Sequence, residues 1–109
     1  MKNKLMTMLG FAKKAGKLSS GEGITLENIK NNKALLVILA SDASDNTAKR
    51  IRDKAAYRNI MVVEELNRKE IGTATGVGDR VVVSITDDNF ARSIKAILGG
   101  NVDGKNKNS

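Results

Sequence analysis

The chain has 109 residues, with 19 Lys and Arg against 12 Asp and Glu, for a formal net charge of +7. It contains no Cys, His, Pro or Trp, which excludes a disulfide framework, a zinc finger, a thiol nucleophile and a Ser–His or Cys–His catalytic pair. The charge points to a polyanion, and with aromatics at 3% the anchors of a membrane-surface helix are missing, so nucleic acid is favoured.

The length suits one domain over residues 1–100, followed by a polar tail, 101–109, expected to be flexible. No stretch is apolar and long enough to span a membrane. Lys13 and Lys14 break the N-terminal apolar run, so it does not read as a signal peptide. The expected location is the cytoplasm.

Residues 2–15 carry Leu5, Met8, Leu9 and Ala12 at helical spacing, with Met6 beside the stripe and Lys2, Lys4, Lys13 and Lys14 on the other face. Gly16 stops this helix. Lys17–Ser19 is a short extended segment. Ser19-Ser20-Gly21-Glu22 then reads as a capping box, in which a Ser accepts from the backbone and Glu22 reaches back. The second helix runs from about Gly21 to Lys30, with Leu26 and Ile29 inward and Ile24 on the opposite side. The unpaired amides at its start, and the positive end of its dipole, favour an anion, phosphate above all.

Asn31–Lys33 is a polar turn. Leu35–Ala40 is a continuous apolar run, the pattern of a strand covered on both faces. Ser44 or Asp42 caps a third helix, Asp45–Tyr57. Its inward stripe is Ala48, Ile51 and Ala55, and its outer face is strongly basic. Ile60–Val63 is a strand. Leu66–Thr75 is a short helix that ends in the glycine loop Gly76–Arg80. Val81–Ile85 is a further strand. Asp87 or Asp88 caps the last helix, with Phe90, Ile94, Ile97 and Leu98 on one face and Gly99-Gly100 as its stop. Strands alternating with helices, and apolar on both faces, predict an α/β fold: a three-layer α-β-α sandwich.

Several catalytic and binding patterns fail. Gly72–Gly78 matches neither the Walker spacing nor the dinucleotide fingerprint, and it precedes a strand instead of following one. The adjacent pairs Glu64-Glu65 and Asp87-Asp88 point different ways on any regular element, so neither makes an acid–base dyad or a metal site. No catalytic residue, metal or cofactor is expected. The only aromatics are Phe11, Tyr57 and Phe90, with both Phe read as inward. That excludes a sheet that stacks bases. Contact with nucleic acid must rest on backbone amides, lysines, arginines and small polar groups.

Three segments in order carry a resemblance: Gly16-Lys17-Leu18 leading to Gly21, Leu36–Ala40 with Asp42, and Ile71-Gly72 with Gly76 before the last strand. Over about Met6 to Leu98 the chain resembles the ribosomal-protein family that binds RNA kink-turns, that of archaeal L7Ae and eukaryotic L30e, and above all its short bacterial YlxQ-type branch. The resemblance implies a mixed four-stranded sheet, with Lys17–Ser19 as the fourth strand. It also implies non-catalytic binding of a sharply bent RNA, with ribosomal RNA as one candidate partner, by a monomer. The start of the second helix, Gly21–Glu27, would enter the RNA groove. The loop Gly76, Val77, Gly78, Asp79 and Arg80 would cover an extruded base.

On that reading Gly21, Gly23 and Thr25 present amides and a hydroxyl, beside Ser20, Glu22, Ile24 and Glu27. Lys17, Lys30 and Lys33 meet phosphates, and Asp42 braces the helix start. The strongest RNA binders of the family carry Asn, Glu and Lys where this chain has Gly23, Ile24 and Glu27. Those departures motivate an alternative: a protein-interaction module on the same fold, docking an acidic partner on its basic third helix.

Overall fold

The computed structural model describes residues 2–99. The expected tail, and Gly100 of the Gly99-Gly100 stop, lie outside that range. The sheet is built on β2 (Leu36–Leu39), whose four side chains are fully buried. Leu36 and Ile38 face one core, Val37 and Leu39 the other. This is what a continuous apolar run demands: successive side chains alternate faces, and both faces must be dry. Each such side chain contributes about 1.5–3 kcal/mol by leaving water.

β2 pairs antiparallel with β4 (Val82–Ile85) and parallel with β3 (Val62–Val63). β4 pairs antiparallel on its other side with β1 (Leu18–Ser20). The strand order is β1-β4-β2-β3, a mixed four-stranded sheet. Helices α1 (Lys2–Lys14), α4 (Arg68–Thr75) and α5 (Asp88–Gly99) cover one face through Leu5, Leu9, Ile71, Ala91 and Ile94. Helices α2 (Glu22–Lys30) and α3 (Asp45–Tyr57) cover the other through Ile29, Ala48, Ile51 and Ala55. The architecture is the three-layer α-β-α sandwich.

Two local expectations are corrected. No capping box forms over Ser19–Glu22, because Ser19 and Ser20 are strand residues paired with Ser84 and Val83 of β4. The N-cap of α2 is Gly21, which makes no side-chain cap bond. The box occurs instead at α4. There Asn67 Oδ1 accepts from the Glu70 N–H at 2.8 Å, and Glu70 accepts from the Asn67 N–H at 2.9 Å. Phe11 is not inward but 54% exposed. It lies two residues beyond Leu9, about 200° round the helix from it. Ser44, not Asp42, caps α3, accepting from the Thr47 N–H at 3.2 Å. Asp87 caps α5, accepting from the Phe90 N–H at 3.0 Å.

Candidate nucleic-acid interface

Strand direction decides what meets at each end of the sheet. β1 ends beside the start of β4, where the Gly21 N–H donates to the Val82 carbonyl at 2.9 Å. β2 ends there too, with the Ala40 N–H donating to the Val81 carbonyl at 2.7 Å. The start of α2, the turn Ser41–Ser44 and the loop Gly76–Arg80 are therefore brought to one edge. α3 and α4 also start at this edge. Asp42 Oδ1 accepts from the Arg68 N–H at 2.9 Å, and Thr47 Oγ1 donates to Glu22 at 3.4 Å. Three helix N-termini share one end of the molecule, so their positive dipole ends add.

At α2 the chain turns on Gly21 at φ 112°, a conformation closed to other L-residues without strain. The Thr25 N–H donates to the Gly21 carbonyl at 3.1 Å. Among the described residues the amides of Glu22, Gly23 and Ile24 meet no acceptor on the protein. Gly23 and Ile24 are exposed, Ile24 by 49%, so the helix end is open. The Glu22 carboxylate turns sideways to pair with Arg50 of α3. Its charge is thus compensated beside the free amides.

Two expected contributors are corrected. Thr25 is completely buried, and its hydroxyl has no partner. It faces inward from α2 and cannot present that hydroxyl to a ligand. The Ser20 hydroxyl is also buried and unpartnered. Beneath them the Asn28 amide donates to Ser84 Oγ at 3.2 Å, a buried link from α2 to β4.

The loop Gly76–Arg80 is held against α4. Gly76 caps α4 in the left-handed conformation, its N–H donating to the Gly72 carbonyl at 2.8 Å. The chain then folds back over Gly72, where an added Cβ would lie 2.1 Å from the Gly78 carbonyl oxygen. The Arg80 N–H donates to the Arg68 carbonyl at 3.3 Å. Gly78 and Asp79 are exposed, and Val77 is half-buried. Asp42 braces α4 rather than α2. The Arg68 N–H, and secondarily its guanidinium, hold the Asp42 carboxyl below its ordinary range.

Lys17, Lys30 and Lys33 do not frame this edge. The Lys17 carbonyl accepts from the Thr86 N–H at 3.0 Å, beyond the far end of β4. Lys30 closes α2, about 12 Å from its start at 1.5 Å per residue. The Lys33 N–H donates to the Asn28 carbonyl at 2.8 Å, on the way back into β2. A lysine close in sequence to Gly21 is thus placed at the other end by the strand between them. The arginines at the candidate edge are Arg50, Arg68 and Arg80. In the sequence Arg50 is one of the cations on the strongly basic outer face of the third helix, and nothing there singles out Arg68. Glu27 stays exposed on α2, accepting from the Asn31 amide at 3.1 Å.

Among the described residues no group of His, Cys, Asp and Glu could hold a metal ion, and no helix is long and apolar enough to cross a membrane. The model of the Ribosomal protein L7Ae/L30e/S12e/Gadd45 family matches residues 3–95. The chain belongs to this family. It is 38% identical over 99 residues to the RNA-binding protein YlxQ of Enterococcus faecium, covering 91% of this chain and 95% of that one. It is 40% identical over 91 residues to the RNA-binding protein YlxQ of Bacillus subtilis (strain 168), covering 84% and 91%. A solved structure of a Bacillus halodurans protein of unknown function superposes with a TM-score of 0.84 at 36% identity, over 87% of this chain and 96% of that one. The Giardia lamblia 15.5kD RNA binding protein shares the fold, with a TM-score of 0.78 at 20% identity over 94% and 87%.

Proposed function

We propose that this protein binds structured RNA without catalysing a reaction on it, and that its target is a sharply bent, kink-turn-like helix such as occurs in ribosomal RNA. One observation carries the reading. The open N-terminus of α2, with three unpartnered amides, stands beside a glycine loop and two further helix starts on one edge. Main-chain donors at a helix start suit a phosphate. On this reading the loop Gly76–Arg80 closes over a nucleotide held there. The relatives named as RNA-binding proteins, together with the net charge of +7, support RNA as the polyanion.

The direct contacts are assigned to the amides of Glu22, Gly23 and Ile24, to the loop Val77–Asp79, and to Arg80. Ile24 supplies an apolar surface, and Glu27 opposes phosphate. Lys17, Lys30 and Lys33 add long-range attraction, screened beyond about 10 Å at 0.1 M salt.

The test is the affinity for a kink-turn RNA against a straight duplex of equal length across a salt series. Attraction to phosphates alone gives equal affinities and a steep salt slope. Shape recognition gives a preference of at least about tenfold, which is 1.4 kcal/mol. Equal affinities would overturn the specific claim.

A further inference from the structure

Apart from the edge just described, the most exposed aromatic ring among the described residues is set among cations. Tyr57, at the end of α3, is 82% exposed. The Arg58 guanidinium lies over its ring, 5.7 Å from the centroid. Tyr57 lines a groove of about 280 Å³ between α2 and α3, with the apolar Leu26 and Ile29 and, around them, Gly23, Glu27, Lys30, Lys54 and Arg58. Tyr57 also borders a second depression of about 420 Å³ with Arg50, Asp53 and Lys54.

Most surface cations of α3 are already matched. Lys49 pairs with Asp53, Arg50 with Glu22, and Arg52 with Glu64. The three cations of the groove differ. Among the described residues Lys30, Lys54 and Arg58 have no carboxylate partner, and Arg58 donates only to the neutral Asn32 at 3.1 Å. Glu27 is the single acid in the lining. An exposed ring with a guanidinium over it, flanked by unpaired cations, is the combination that holds single-stranded nucleic acid: a base stacks on the ring while phosphates meet the cations.

We propose that the α2–α3 groove is a second RNA subsite, which takes an unpaired nucleotide flanking the bent helix, its base stacked on Tyr57 and its phosphates on Lys54 and Arg58. This rests on the RNA-binding reading above. Gly23 belongs both to the open start of α2 and to the groove lining, so a strand leaving the first site can run directly into the second. Charge complementarity selects RNA here, and the stacking ring separates it from a charge-only ligand.

Tyr57 is the only tyrosine, and Trp is absent, so the intrinsic fluorescence lifetime reports on the surroundings of this ring. Four probes are titrated: a blunt kink-turn RNA, the same RNA with four single-stranded adenosines added at one end, the same RNA with them added at the other end, and heparin. One extended RNA should bind about tenfold tighter than the blunt form and shorten the lifetime, while heparin leaves the lifetime unchanged. Tyr57→Ala and Lys54→Ala should erase that tenfold gain while keeping the blunt affinity. Tyr57→Phe should retain the gain in an anisotropy assay.

Equal affinity with and without either extension would overturn the subsite, as would a Tyr57→Ala variant that keeps the full gain. If the blunt RNA fails to bind, the proposed function fails, and the groove is then judged separately with a twelve-residue oligoadenylate. A shortened lifetime with it upholds the groove; an unchanged lifetime overturns it. Polyglutamate that displaces the oligoadenylate and binds tighter would reassign the groove to an acidic protein and overturn the proposal.

Discussion

Gly72→Ala tests whether the loop Gly76–Arg80 is positioned by its crossing over α4. The new Cβ would lie 2.1 Å from the Gly78 oxygen, 2.4 Å from the Gly78 carbonyl carbon and 2.8 Å from the Asp79 nitrogen. All three obstacles are backbone atoms, so no rotamer change relieves them. The loop must retreat by about 1.3 Å to reach the 3.4 Å at which ordinary contact begins. It is held by the Arg80–Arg68 main-chain bond at 3.3 Å and by the Gly76 cap, both of which are strained by that shift. Overpacking of this kind costs about 1–3 kcal/mol. A loss near 2 kcal/mol lowers Tm by about 10 °C in a domain of this size. Urea and thermal melts measure the stability, and RNA affinity measures the displaced loop. Gly23→Ala is the contrast: nothing lies within 4 Å of its added Cβ, so the helix should gain about 0.4–1 kcal/mol. If Gly72→Ala melts within 1 °C of the parent and binds RNA equally well, the crossing does not position the loop.

Asn28→Ala removes the buried donor to Ser84 and should cost about 1–3 kcal/mol in urea unfolding, because the Ser84 hydroxyl is then stranded. Glu27→Lys should tighten RNA binding a fewfold and steepen the salt dependence, since one acid becomes one cation on the α2 face. Asp42 has a folded pKa held below the ordinary value of an aspartate, chiefly through the Arg68 N–H. Its contribution is therefore present above the unfolded pKa and lost as pH falls through the folded one. Thermal melts of Asp42→Asn should show a deficit against the parent at pH 7 that closes as pH falls below 3.8.

The elements most legible in the sequence were those whose pattern is local. The stripe Ala48, Ile51 and Ala55 fixes α3, and the run Leu36–Leu39 fixes a strand wet on neither side. The Asn67-x-x-Glu70 box is equally local and was there to be read. The box expected at Ser19–Glu22 failed for a non-local reason: β4 claims Ser19 and Ser20 as pairing partners, and a strand residue is not free to cap. The lysines were misplaced for the same kind of reason. Lys17 lies four residues from Gly21, yet a three-residue strand of about 3.3 Å per residue carries them to opposite ends. Gly21–Ile24 stood out through its glycines, whereas the arginine partners of Glu22 and Asp42 depend on helix packing.

The direct test of main-chain capture compares Glu22→Pro with Glu22→Ala in RNA-binding titrations at one salt concentration. Both remove the carboxylate paired with Arg50, but only Pro removes the first free amide. Pro is tolerated at the first helical position, and Gly21 before it already has an extended ψ of 155°. The expected result is that Glu22→Pro binds at least tenfold more weakly than Glu22→Ala, in line with about 1.5–3 kcal/mol for a hydrogen bond to a charged group, while both melt as folded proteins. Equal affinities for the two folded variants would contradict capture of a phosphate by the start of α2.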